Sequence, residues 1–183
     1  MGAFPDPAEF GFIAPLEVQF EELLAELKQL REDEFVDAPD SLSIAKEGYD
    51  ERGWKYYALF GGGAECAAHR RRCPQAARAC SMVPGLVNAG FSLFRPGTKL
   101  YPHKGELGGT LRCHLPLVLP RGDFGLRSGD ETRRWELGRC LVFDDTREHT
   151  AWNLGDGDRV VPWLRRPILN ESTWIRLRSA SLP

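Results

Sequence analysis

The chain has 183 residues, 42% of them hydrophobic and 10% aromatic, which suits one soluble globular domain with a real core and excludes disordered, collagen-like and coiled-coil classes. A formal charge of −2 and a pI near 6.1 give no electrostatic basis for nucleic acid or an anionic membrane as partner. No apolar run reaches the ~20 residues of a spanning helix and no secretory leader opens the sequence, so a soluble, cytoplasmic protein with no membrane partner is expected.

Residues 1–14, with Pro5 and Pro7, read as an irregular arm preceding a single domain over 15–183. Within that domain a helical flank is expected over 15–83, a β-rich core over 84–165 and an atypical tail over 166–183. The first helix is predicted from Leu16 to Leu30, because Leu16, Phe20, Leu23, Leu24, Leu27 and Leu30 recur at three- and four-residue steps. Trp54 to Phe60 is an aromatic, strand-prone run closed by three glycines. Ala64 to Met82 reads as helix in two pieces, broken at Pro74. Five cysteines, an odd number with no C-x-x-C spacing, fit buried small hydrophobes in a reducing compartment better than a disulfide framework.

Beyond Pro84 short apolar runs alternate with turn signals. Strands are predicted at Gly90 to Phe94, Leu100 to His103, Thr110 to Leu119, Phe124 to Arg127, Cys140 to Phe143, Thr150 to Trp152 and Arg159 to Trp163. With no βαβ alternation, this is a helix-backed β-sandwich or barrel. Pro162 cannot donate to a sheet ladder, so the last strand is expected to be short or to lie at an edge.

Of the four histidines, His69 sits beside Arg70-Arg71-Arg72 on an expected exposed helix and is given no role. His103 ends one predicted strand and His149 follows Phe143-Asp144-Asp145 near another. Imidazoles suit iron, and mononuclear oxygenases usually place a carboxylate two residues after the first histidine. Gly105 occupies that slot here, and Glu106 is one residue too far along an extended chain. On the residues alone this is a two-histidine site of low specificity. Asp144 and Asp145 read either as partners orienting a ligand imidazole or, preferably, as turn residues. Arg112 and His114 alternate with Cys113 and Leu115, which puts both on one strand face.

Tyr101-Pro102-His103-Lys104-Gly105, Leu111-Arg112-Cys113-His114-Leu115-Pro116-Leu117, Trp135-Glu136-Leu137-Gly138-Arg139 and Phe143-Asp144-Asp145 with His149 and Trp152 together resemble the aspartyl/asparaginyl β-hydroxylase family. The resemblance spans about Gly53 to Arg159. It implies a double-stranded β-helix, cupin-like and flanked by N-terminal helices, that uses iron(II) with 2-oxoglutarate and O₂ as co-substrates. It assigns His103 and His149 to the metal, Gly105 to a vacant third-ligand position, Ser92, His114 and Arg159 to 2-oxoglutarate, and Arg112 to a substrate carboxylate. The implied activity is hydroxylation of an unactivated C–H bond in a small-molecule or peptidyl substrate: an aspartyl or asparaginyl residue, an amino acid or a small natural product. A lipid acyl-chain hydroxylase and a non-catalytic β-helix that binds a metal or ligand are the rival readings. The sequence departs from the family at Glu106-Leu107-Gly108, at Thr110, where a second arginine is usual, and at Pro162 to Pro167.

Overall fold

The structure, a computed structural model, describes residues 2–38, 45–46, 48–105 and 109–168. Four short helices, α1 (Ile13–Glu17), α2 (Phe20–Leu27), α3 (Cys66–Arg72) and α4 (Pro74–Ser81), flank the strands. The strands are β1 (Val36–Asp37), β2 (Ala45–Lys46), β3 (Tyr49–Asp50), β4 (Trp54–Phe60), β5 (Asn88–Phe94), β6 (Thr98–Lys99), β7 (Thr110–His114), β8 (Phe124–Ser128), β9 (Glu131–Arg133), β10 (Leu141–Asp144), β11 (His149–Asn153) and β12 (Arg159–Pro167). They form two six-stranded antiparallel sheets, β1-β4-β5-β12-β7-β10 and β2-β3-β6-β11-β8-β9. Two such sheets facing each other, with helices on the outer face of the first, make a double-stranded β-helix of the cupin type.

The alternation of side chains gives the first sheet two different jobs. Val160 and Leu164 of β12, with Leu111 and Cys113 of β7, join Leu16, Leu23, Ala76 and Ala79 of the helices in one core cluster. Trp163 of β12, Phe94 of β5 and Phe143 of β10 join Leu126 of β8 and Ala151 of β11 in a second cluster between the sheets. Hence the intervening residues of β7 and β12 look into the barrel. The helix layer is tied down by Glu26 of α2, whose carboxylate accepts the backbone N–H groups of Gln75 (2.7 Å) and Ala76 (2.8 Å) and so caps α4 behind Pro74.

Several expectations change. The predicted Leu16–Leu30 helix is two, α1 and α2, because Gln19 leaves helical geometry (φ −87°, ψ 10°); the bend directs Ile13, Leu16 and Leu23 into one core. The arm is not irregular throughout, since Asp6 caps a 3-10 turn at Pro7–Glu9 and α1 begins within it. The break at Pro74 is where it was expected, between α3 and α4. Leu100 to His103 is not a strand: the Tyr101 N–H turns to the Glu51 carboxylate (2.9 Å) and Pro102 has no donor, leaving His103 as an isolated bridge to His149. The Thr110–Leu119 run stops at His114, two residues before Pro116. The exposed β9, which carries no apolar pattern, was not foreseen.

The largest correction concerns β12. It is nine residues long and central, pairing with β5 on one side and β7 on the other. Pro162 is tolerated because its carbonyl, which accepts the Leu115 N–H (3.3 Å), faces the β7 side just beyond the end of that ladder at Trp163–His114. The N–H that proline lacks would point the same way, so no bond to β5 is forfeited. The expected tail therefore begins inside this strand, and its residues from 169 onward lie outside the described ones.

Candidate active site

Ser92, His103, Arg112, His114, His149 and Arg159 line one cavity between the sheets. Its remaining wall is apolar, including Trp54, Phe94, Leu100, Leu126 and Phe143.

His103 and His149 are paired through the backbone, each N–H donating to the other's carbonyl at 3.0 and 2.8 Å, and their ring centroids lie 4.3 Å apart. Each imidazole uses Nδ1 in the same way, donating to the carbonyl two residues earlier: Tyr101 for His103 (2.8 Å) and Arg147 for His149 (2.9 Å). That fixes the tautomer and leaves the lone pair of Nε2 on both rings, the form in which imidazole binds a metal. Burial, followed by the His103 imidazole nearby, lowers the His149 pKa to about 4, so its ring is neutral at pH 7.

Asp145 is more than a turn residue. Asp144 fits that description, its Oδ1 accepting from the backbone N–H and the hydroxyl of Thr146 at 2.9 and 2.6 Å. Asp145 is fully buried and accepts from Arg112 Nε (2.5 Å) and Thr110 Oγ1 (3.2 Å), with Arg165 Nε at 3.3 Å and His149 Nε2 at 3.5 Å. Burial alone would raise its pKa, but the charge and hydrogen bond of Arg112 outweigh burial and hold it below the ordinary range, so it is ionised. Gly105 adjoins it, donating its N–H to the Asp145 carbonyl (2.8 Å). Among the described residues no three His, Cys, Asp or Glu side chains form a metal cage, and Glu106 lies outside the described residues.

Arg159 is 1% exposed, with its guanidinium carbon 3.7 Å from the centroid of Phe94 and 4.7 Å from that of Trp135. Its Nε and Nη1 have no hydrogen-bond partner among the described residues, and burial lowers its pKa to about 9. His114 Nε2 is likewise buried without a partner, while burial and then the charges of Arg159 and Arg112 hold this imidazole neutral. Unsatisfied donors facing one cavity suit an anion, since leaving them unpaired costs about 1–3 kcal/mol each. Ser92 Oγ accepts the Trp54 indole N–H (3.1 Å). Arg112 is stacked at 4.2 Å on Trp163.

Sequence reasoning missed Glu51, Trp54 and Trp135 as parts of this site, and for Asp145 it preferred a turn role to the orienting role it also weighed. Trp135 was visible only as a motif residue, and Glu51 carried no signal. His69, given no role, stacks on Tyr57 (4.0 Å) outside the barrel, and all five cysteines are free and buried.

The sequence profile described as aspartyl/asparaginyl beta-hydroxylase matches residues 17–165. The ornithine lipid ester-linked acyl 2-hydroxylase of Rhizobium tropici is 35% identical over 160 residues, covering 85% of this chain and 57% of that protein. The aspartyl/asparaginyl beta-hydroxylase of Mus musculus is 31% identical over 124 residues, covering 63% of this chain and 16% of that protein. The chain thus spans less than two thirds of the length of either relative. Among solved structures, a viral collagen prolyl hydroxylase of Paramecium Bursaria Chlorella virus-1 in its 2OG complex superposes with a TM-score of 0.42 at 12% identity, over 63% of this chain and 80% of that one. With its profile matched across most of its length, the chain belongs to the aspartyl/asparaginyl β-hydroxylase family of hydroxylases.

Proposed function

We propose that this chain is an iron(II)- and 2-oxoglutarate-dependent hydroxylase. The observation that carries the reading is the coexistence, in one largely apolar cavity, of two imidazoles presenting Nε2 lone pairs and a fully buried guanidinium with unpaired donors. His103 and His149 would hold the metal, and Gly105 leaves the usual carboxylate position vacant. Bound iron(II), with O₂ and 2-oxoglutarate, supplies the oxidising power that converts C–H to C–OH as succinate and CO₂ are released. Arg159 binds a co-substrate carboxylate by charge-assisted hydrogen bonds, helped by His114 and Ser92. The apolar walls exclude water, which strengthens those bonds and protects the reaction from side paths.

Arg112 selects a substrate bearing a carboxylate or a phosphate, whether an aspartyl or asparaginyl residue, an amino acid or a small natural product. A second reading, hydroxylation of a lipid acyl chain, is favoured by the apolar lining and by the similarity to the acyl 2-hydroxylase of Rhizobium tropici. Among the described residues no helix is long and apolar enough to cross a membrane.

The test is anaerobic titration of the protein with iron(II) and 2-oxoglutarate, followed by admission of O₂. A visible charge-transfer band and then succinate are expected, and both should vanish in His103→Ala and in His149→Ala. Succinate formation retained in both variants would refute the reading. Iron binding with neither band nor succinate would mark the chain as a non-catalytic metal-binding module.

A further inference from the structure

Trp135 lies outside the regular strands, between β9 and β10, and is 3% exposed. Its indole N–H donates to Nδ1 of His114 at 3.2 Å, with the two rings tilted by 26° and their centroids 6.0 Å apart. An indole nitrogen has no lone pair to offer, so Nδ1 must be the acceptor, and a neutral imidazole then carries its proton on Nε2. Nε2 is the atom left buried without a partner on a ring that lines the cavity. The same indole lies against the Arg159 guanidinium, its centroid 4.7 Å from the guanidinium carbon.

We propose that Trp135 is a positioning residue that places the proton of His114 on Nε2, so that the ring presents a hydrogen-bond donor to the cavity. The alternative tautomer would turn a lone pair toward the cavity and repel an anion. Trp135 would leave a proton donor and a guanidinium side by side, both suited to a carboxylate and both with donors unpaired among the described residues. The identification of that carboxylate as 2-oxoglutarate rests on the function proposed above; the location of the proton does not.

Long-range ¹H–¹⁵N spectra of the metal-free protein read the tautomer of His114 directly. Protonated Nε2 is expected in the unaltered protein, and a shift of the proton toward Nδ1 in Trp135→Phe. Should Trp135→Phe fail to fold, 3-benzothienylalanine at position 135 keeps the ring area over Arg159 and replaces only the N–H by sulfur. Binding of N-oxalylglycine to the zinc-loaded protein, measured by calorimetry, is expected to weaken roughly tenfold in either variant. A proton on Nδ1 in the unaltered protein, or a tautomer indifferent to the loss of the indole N–H, would overturn the proposal. Affinity unchanged in a variant whose tautomer has switched would overturn its consequence for binding. If the unaltered protein does not bind N-oxalylglycine, the co-substrate reading fails, while the nitrogen spectra still decide where the proton lies.

Discussion

The Asp145 carboxylate fills the space that a side chain at Gly105 would need: a β-carbon built on Gly105 would overlap both Oδ2 and Cγ of Asp145. Asp145 cannot swing aside, because Arg112, Thr110 and Arg165 hold both of its oxygens. The glycine is therefore required by its packing against Asp145.

Gly105→Ala is accordingly expected to cost about 1–3 kcal/mol through overpacking. Asp145→Ala should cost about 3–5 kcal/mol, since it strands buried guanidinium groups. Because the second change removes the atoms that the first one strikes, the double variant should be less destabilised than the sum by at least about 1 kcal/mol. Urea unfolding of the four metal-free proteins measures this. Simple additivity, or a neutral Gly105→Ala, would show that the two residues do not compete for the space.

Gly105 also marks how far the sequence could be read. The local pattern of His103, Lys104 and Gly105 put a glycine where an acid is usual, and alternation placed Arg112 and His114 on one face, where both line the cavity. What occupies the glycine's space could not be read, because it depends on the turn after β10 folding back against residues 40 positions earlier. Pro162 misled for a related reason. A proline's effect on a sheet depends on which neighbour its N–H would have faced, and that is fixed by where β7 ends, at the approach to Pro116. The short helices suffered from neither problem at Pro74, where the break follows from the residue itself.

Arg159 should show a trade between stability and binding. Its buried guanidinium has unpaired Nε and Nη1, set against stacking on Phe94 and Trp135. Replacing it by an apolar side chain of similar length removes an unmet demand for hydrogen bonds. Arg159→Met is expected to leave the free protein as stable as before, or up to about 2 kcal/mol more stable. Stabilisation of the iron- or zinc-loaded protein by 2-oxoglutarate in a thermal melt should vanish in the same variant. A loss of more than about 1 kcal/mol in the free protein would mean that Arg159 is held by the fold for its own sake.

The two neutral buried imidazoles, His114 and His149, make stability depend on pH. Both pKa values are depressed in the fold, chiefly by burial, that of His149 to about 4, whereas the unfolded chain takes up the protons near 6.5. Their contribution is thus fully present above about pH 6.5 and is lost as pH falls, with His149 ceasing to add to the slope near pH 4. The metal-free protein should lose roughly 1.4 kcal/mol per pH unit for each of these groups between about pH 6 and 5. Urea midpoints measured in chelator across that window check the slope, and His114→Gln should reduce it by about half. A flat profile from pH 7 to 5 would count against both neutral rings.

Glu51 offers the most remote control of the site. It is 3% exposed and its carboxylate accepts the Tyr101 N–H at 2.9 Å, while the Tyr101 carbonyl accepts the Nδ1 proton of His103 at 2.8 Å. The acid thus anchors the residue whose carbonyl orients the ring, acting on a segment that Pro102 excludes from any regular ladder. Removing such support for a metal ligand typically costs 10–100-fold in affinity. Glu51→Ala is expected to weaken manganese(II) binding by about that factor, measured by electron paramagnetic resonance titration. Glu51→Gln keeps an oxygen acceptor for the Tyr101 N–H and should retain most of the affinity, a contrast that general destabilisation would not produce. If the alanine and glutamine variants bind manganese equally, Glu51 serves the fold alone and the orientation of His103 is secured by its backbone pairing with His149.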